Sequence, residues 1–228
     1  ELEHQFARPG DAAAVLRVTL AQKAKLRGAD HPITMRTHLQ LAEALLETGR
    51  PEEAARVANE AIAIIPREGP RAPVVAYPLL TLGLAQAAMG DYDAAQASMA
   101  KSLERRVAWR GAESRIAAVA TYHLAEFARD RGDAAAARPL AERASRLLQS
   151  EPGGNETYRW LARHLLAQAG PPAERDRAID AVLRDIRAHP ERAAYSRTEA
   201  QVAFALGRVR IEAGDRAGGC ALVAESVP

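Results

Sequence analysis

The sequence of 228 residues has one cysteine, few aromatic residues and no long apolar run. The single thiol, Cys220, excludes an internal disulfide framework and a Cys-rich zinc or iron–sulfur site, and makes a reducing compartment the default. The longest apolar stretches, Val74–Tyr77 and Pro78–Leu80, stop far short of the roughly 18–20 residues that a membrane-spanning helix needs. An excess of one charge is missing too: 31 Lys+Arg stand against 29 Asp+Glu, and a formal charge of +2 gives no broad electrostatic reason to expect nucleic acid or an anionic membrane. The calculated pI of 8.9 reflects arginine, which supplies all but three of the basic residues. There is no initiating methionine. The chain opens on Glu1 and reads as a fragment of something longer, so the lack of a signal peptide carries no information.

What is abundant is alanine. With aromatics at 4% and β-branched residues sparse, the balance favours close-packed helices over sheets, within a chain that is 48% apolar and able to bury a core. Five glycines punctuate it, in ETGRPEEA (Gly49), AMGDYDAA (Gly90), DRGDAAAA (Gly132), AQAGPPAE (Gly170) and EAGDRAGG (Gly214), at intervals of 41, 42, 38 and 44 residues. Each follows about four turns of helical pattern, suits a left-handed helix C-cap and precedes another helical run. Seven residues earlier stand Ala42, Gly83, Ala125 and Gly207, with Arg163 the exception; five residues later come Ala54, Ala95 and Ala137. Small residues at fixed offsets are what two helix axes need in order to approach.

The spacing predicts helices over 11–27, 33–48, 51–65, 73–89, 92–107, 112–131, 134–149, 155–169, 173–188, 192–213 and 215–226. The first is a second helix lacking its partner, and the last is weakened by Gly218 and Gly219. The fourth unit departs from the pattern through Arg163 and through a linker, GPPAERDRA, about three residues too long, which hands the small and closing positions to Ala178 and Pro190.

This pattern resembles the tetratricopeptide repeat family. LAEALLETGRPEEAARVANEAIAIIP (Leu41 to Pro66), LGLAQAAMGDYDAAQASMAKSL (Leu82 to Leu103) and LAEFARDRGDAAAARPLAERASRLL (Leu124 to Leu148) carry the likeness, and LAQKAKLRGADHPITMRTHLQLAEALLETGR is similar to the roughly 42-residue variant of kinesin light chains and of many bacterial regulatory proteins. The resemblance implies an all-α fold, a right-handed α–α superhelix of about five helix pairs plus an N-terminal helix. The expected organisation is one solenoid over 1–228: a tail at 1–10, a partial repeat at 11–32, three well-matched repeats over 33–150 and two degenerate ones over 151–228. It further implies a non-catalytic scaffold that binds a peptide or partner domain on a concave face lined by first helices, as the regulatory module of a larger bacterial signalling protein, a kinase or transcription regulator, in the cytoplasm. Self-association into homo-oligomers is the alternative.

Ten residues before each turn glycine stand Leu39, Leu80, Tyr122, Trp160 and Phe204, and six before it Glu43, Leu84, Glu126, His164 and Arg208. With Tyr77 and His123 at helical spacing, they form the expected partner stripe: apolar anchors bordered by polar groups, with the aromatics as hot spots. The same residues also suit packing between consecutive first helices, and the segment Glu1–Gly10, with Phe6, or the connector Arg67–Pro78 is placed to cover them. The family's two-carboxylate clamp of Lys, Arg and Asn has no counterpart, since its positions hold Leu39, Glu43, Leu80 and Leu84.

Catalytic and metal signals are weak. The histidines at 4, 31, 38, 123, 164 and 189 form no His-Glu-x-x-His, the carboxylate pairs Glu52/Glu53 and Asp91/Asp93 suit helix starts, and Pro152–Asn155 lacks the Gly-Lys-Ser/Thr of a phosphate loop. No catalytic residue, metal or cofactor is expected, nor a nucleic-acid partner. Arg105, Arg106, Arg110 and Arg115 read as a solvated helix end or a phosphate-binding patch.

Overall fold

A computed structural model describes residues 9–65, 72–149 and 156–226. The tail carrying Phe6, the closing Pro66, the start of the connector at 67–71 and the segment 152–155 lie outside the described residues. Among the described residues eleven α-helices follow one another: α1 (Pro9–Arg27), α2 (Pro32–Glu47), α3 (Pro51–Ile64), α4 (Ala76–Ala88), α5 (Tyr92–Arg110), α6 (Arg115–Asp130), α7 (Ala134–Gln149), α8 (Glu156–Gln168), α9 (Pro172–Ala188), α10 (Ser196–Glu212) and α11 (Arg216–Glu225). Short 3₁₀ turns, Ala72–Val75 and Arg192–Tyr195, lead into α4 and α10 where the sequence pattern predicts the helices themselves to begin. No strand occurs among the described residues.

The turns explain the boundaries. Gly49, Gly90, Gly132 and Gly214 take φ of 69°, 82°, 75° and 98°, and the residue after each donates its N–H to the carbonyl five residues back, as from Arg50 to Leu45 and from Asp91 to Gln86, both at 2.9 Å. Gly170 does not follow them, a correction to the expected fifth cap. Its φ is not positive, because Pro171 disfavours that conformation in the residue before it and has no N–H to close the bond. Ser114 caps α6 through its side chain, accepting from the Ala117 N–H at 3.4 Å, so the helix starts later than its apolar pattern.

The chain divides into two compact units, Glu1–Ala112 and Glu113–Pro228. In the first, α2 pairs with α3 and α4 with α5, while α1 lies on α2. Leu41, Ala42, Leu45, Ala54, Val57 and Ala58 form its core, all buried. Gly83 gives α5 room: a Cβ there would stand 2.6 Å from Met99 Cγ and 3.1 Å from the Ala95 carbonyl oxygen. Arg106 is also interior, only 3% exposed, with its guanidinium 4.5 Å from the centre of the Tyr77 ring. The arginine group of that region is therefore not one solvated surface.

In the second unit α6 pairs with α7, α8 with α9 and α10 with α11. Ala125, Ala137 and Ala144 are buried between α6 and α7. Gly219, expected to weaken α11, is the residue that lets it dock: a Cβ at Gly207 would stand 2.8 Å from the Gly219 carbonyl oxygen, and one at Gly219 2.6 Å from that of Gly207. Ala178 packs with Ile179 and Val182 against the core of this unit, which fits the shifted register of α9.

Candidate functional site

The predicted stripe does not share one environment. In the first unit Leu39 on α2 is half-buried and Glu43 exposed; on α4 Tyr77 lies under Arg106, Leu80 is buried and Leu84 half-buried. In the second unit Tyr122 and Trp160 are interior, at 3% and 0% exposed, whereas Phe204 is 46% exposed. Tyr122 and Trp160 thus cannot touch a partner as they stand, which corrects their expected role as surface hot spots. Tyr122 is covered from the first helix of the following pair, meeting Tyr158 edge-on at 5.6 Å, and Trp160 is covered by Tyr195 in the lead-in to α10 at 4.9 Å and by His189 at the end of α9 at 5.3 Å. Phe204 has no such cover among the described residues.

Around Tyr122 a polar network is built on α6 and α8. The Tyr122 hydroxyl donates to Glu126 at 2.8 Å, His123 Nε2 lies 3.1 Å from the Tyr158 hydroxyl, and Arg129 donates to Gln168 at 2.7 Å. Arg129 also stands 3.8 Å from Glu126 and pairs with Asp130. Burial alone would raise the Glu126 pKa, but hydrogen bonds from His123 and Tyr122 and the Arg129 charge outweigh it, so the carboxyl stays below its ordinary range. Burial, with the Glu126 charge beside it, pushes the Tyr122 hydroxyl far up. His164, 3% exposed, is held down to about 4 by burial and by Arg129, against the opposing pull of Glu126, and is neutral near pH 7.

His164 and Phe204 come together in a cleft of about 390 Å³ across α6, α8, α9 and α10, with Arg129, Gln168, Arg175, Gln201, Arg208 and Glu212 around them. Arg208 pairs with Glu212 at 3.3 Å. Of the predicted stripe the cleft thus takes His164, Phe204 and Arg208, and not Trp160. Sequence reasoning missed Gln168, Glu212 and Arg175. The first two lie four residues beyond His164 and Arg208 on the same helix faces, a signal that extending the stripe by one turn catches. Arg175 comes from a second helix, for which the pattern predicts the opposite side, and nothing in the spacing marks it.

Among the described residues no group of three or more His, Cys, Asp and Glu side chains is placed to hold a metal ion, and no helix is long and apolar enough to cross a membrane.

Tetratricopeptide repeat models match residues 7–67, 76–106 and 118–143. The fold is similar to that of BtubC (BKLC) from P. vanneervenii, at 16% identity over 96% of this chain and 90% of that one, with a TM-score of 0.73. It is also similar to a putative kinesin light chain of Podosopora anserina with nearly identical tetratricopeptide-like repeats, at 18% identity over 86% of this chain and 94% of that one, TM-score 0.60. At such identities the likeness is one of fold. No curated protein matches the chain.

Proposed function

We propose that this chain, which belongs to the tetratricopeptide repeat family, is a non-catalytic scaffold that binds a partner segment on the first-helix face of its second unit. The observation that carries the reading is Phe204: an aromatic ring 46% exposed beside a polar cleft, at the offset where Tyr122 and Trp160 are interior. An exposed aromatic next to donors of fixed geometry is what an extended segment uses as an anchor, since it gives contact area at low entropic cost. The family resemblance and the Ala/Arg-rich composition support a role for such a scaffold as the regulatory module of a larger bacterial signalling protein.

The reading is tested by panning a random peptide display library against the full chain and measuring the selected peptides on wild type and Phe204→Ala. Because Phe204 is half in solvent, the variant keeps its melting temperature; selected peptides are expected to bind it roughly 2 kcal/mol more weakly. Selection of no binder, or of binders indifferent to the substitution, overturns this face as the docking site.

A second reading, self-association, is favoured by α1. ARPGDAAAV over 7–15 repeats GRPEEAARV over 49–57, but Val57 is 2% exposed while Val15 is 45%, and Val18 and Leu26 are 60% and 78% exposed. That apolar face has no covering helix among the described residues, and sedimentation across a concentration range shows whether a second copy covers it.

A further inference from the structure

The offset ten residues before the turn glycine runs through the successive first helices of the second unit, and each places an aromatic ring there: Tyr122 on α6, Trp160 on α8 and Phe204 on α10. In the first unit the same offset holds Leu39 and Leu80, so the packing of a helix pair does not itself demand a ring.

The two interior rings are covered alike. Tyr158 meets Tyr122 at 5.6 Å with 70° between the ring planes, and Tyr195 meets Trp160 at 4.9 Å with 81°. A histidine closes each contact into a three-ring cluster, His123 beside Tyr122 at 5.0 Å and His189 beside Trp160 at 5.3 Å, again steeply inclined, at 67° and 84°. The backbones that deliver the two tyrosines differ: Tyr158 stands in the first turn of α8, whereas Tyr195 ends the 3₁₀ turn before α10. What the two covers share is the edge-on ring, the arrangement that sets the positive rim of one ring against the negative face of another, and not the conformation of the chain.

Phe204 is the third member of this series and stands 46% exposed. The helices α6, α8 and α10 lie against one another in order, so the face of α10 continues the surface on which the earlier covers already dock. Charge does not choose its occupant, because Arg129, Arg175 and Arg208 around the cleft are balanced by Glu126, Asp130 and Glu212. Selection falls to the ring.

We propose that the residue the partner segment sets on Phe204 is an aromatic side chain, met edge-on as Tyr158 meets Tyr122 and Tyr195 meets Trp160. This rests on the scaffold reading above and adds the chemistry of the partner's anchor. A saturated side chain of the same shape offers at least as much apolar area but no positive rim, so the site prefers the less hydrophobic of the two.

The test uses two probes on the full chain: acetylated, amidated Ala-Phe-Ala, and the same tripeptide with cyclohexylalanine, the saturated analogue of phenylalanine, at its centre. Binding is followed through the NMR methyl resonance of Ala205, which lines the cleft beside Phe204. Ala-Phe-Ala is expected to shift it saturably and to bind about threefold more tightly than the cyclohexylalanine probe. Phe204→Leu, which keeps an apolar side chain but removes the ring, is expected to erase that preference with the melting temperature unchanged. Equal or tighter binding of the cyclohexylalanine probe, no shift with either probe, or a preference that persists in Phe204→Leu each overturns the proposal. Display peptides that lose affinity in Phe204→Ala yet keep it when their own aromatic residues are replaced by leucine remove this inference alone and leave the scaffold reading standing. Display peptides indifferent to Phe204 remove both.

Discussion

The pairs α8–α9 and α10–α11 solve the same packing problem in opposite ways. Both carry, seven residues before the turn glycine, the position where a first helix meets its second, but α10 has Gly207 there and α8 has Arg163. Gly207 brings the backbone of α10 against that of Gly219, with no space for a methyl group between them. Arg163 instead reaches across to Asp185 of α9, which also accepts from the Trp160 indole N–H at 3.1 Å. Burial tends to raise the Asp185 pKa, and the bonds from Arg163 and Trp160 more than reverse it. The α8–α9 pair makes the sparsest contact of the five, and a cleft of about 440 Å³ opens beside Arg163, Leu166 and Ala178. The repeat thus survives loss of its small residue where one large ring and one acid on the facing helix take over.

The largest effect should come from removing that ring. Trp160 is fully buried among Ile179, Val182, Ile186 and Val202, so Trp160→Ala is expected to destabilise the second unit by about 3–5 kcal/mol, read as a lowered midpoint in urea. A loss below about 1 kcal/mol would mean that α8 and α9 are held by something other than the indole.

Second in size is a pH effect. In the unfolded chain His164 titrates near its ordinary value of 6.5, while in the fold burial and the Arg129 charge hold it down to about 4. Between those values the unfolded chain takes up a proton that the folded one refuses, so stability falls as pH falls from about 6.5 to 4, by about 3 kcal/mol in all. Glu126, whose folded pKa is depressed, adds in the same direction as it protonates. His164→Gln should remove the first part of this slope and leave the second, as denaturant melts at pH 7, 5.5 and 4 would record; an unchanged profile would place the histidine's proton outside the buried network.

Much of the fold was legible because its signals are local. Gly and Pro punctuation set the helix ends to within a few residues, and Ala42, Gly83, Ala125 and Gly207 marked the contact line before any contact was known. The site was only partly legible. Offsets from a turn fix which face of a helix a residue occupies, but its exposure depends on what the next pair lays over it: Tyr122 and Trp160 are covered and Phe204 is not, at the same offset. Arg175 was invisible for a related reason, since the proline-bearing linker moves Ala178 into the small position and leaves the arginine free to reach the cleft.

A third substitution sharpens the contrast between the two solutions. Gly207→Ala sets a methyl group against the Gly219 carbonyl and Val223 Cγ2, the latter at 2.9 Å, and backbone cannot step aside, so a loss of about 1–3 kcal/mol is expected despite alanine's better helix propensity. At Gly83 the nearest obstacle is the flexible Met99 side chain, and the same change should be milder. Comparable losses at both sites would show that α10–α11 is no tighter than α4–α5.

The smallest effect is expected at the residue that breaks the pattern most visibly. Arg163→Ala restores the family's small side chain in α8, yet Trp160 still fills the space between the helices and still donates to Asp185. What is lost is one ion pair whose side chains are 29% and 42% exposed, and such pairs contribute under about 1 kcal/mol. Thermal melts of Arg163→Ala, Asp185→Ala and the double variant isolate the coupling between the two. A coupling of about 2 kcal/mol or more would invert the comparison, making the salt bridge and not the indole the element that replaces the missing alanine. A coupling near zero would leave Arg163 as a side chain the packing accommodates, because Trp160 has already set the distance between α8 and α9.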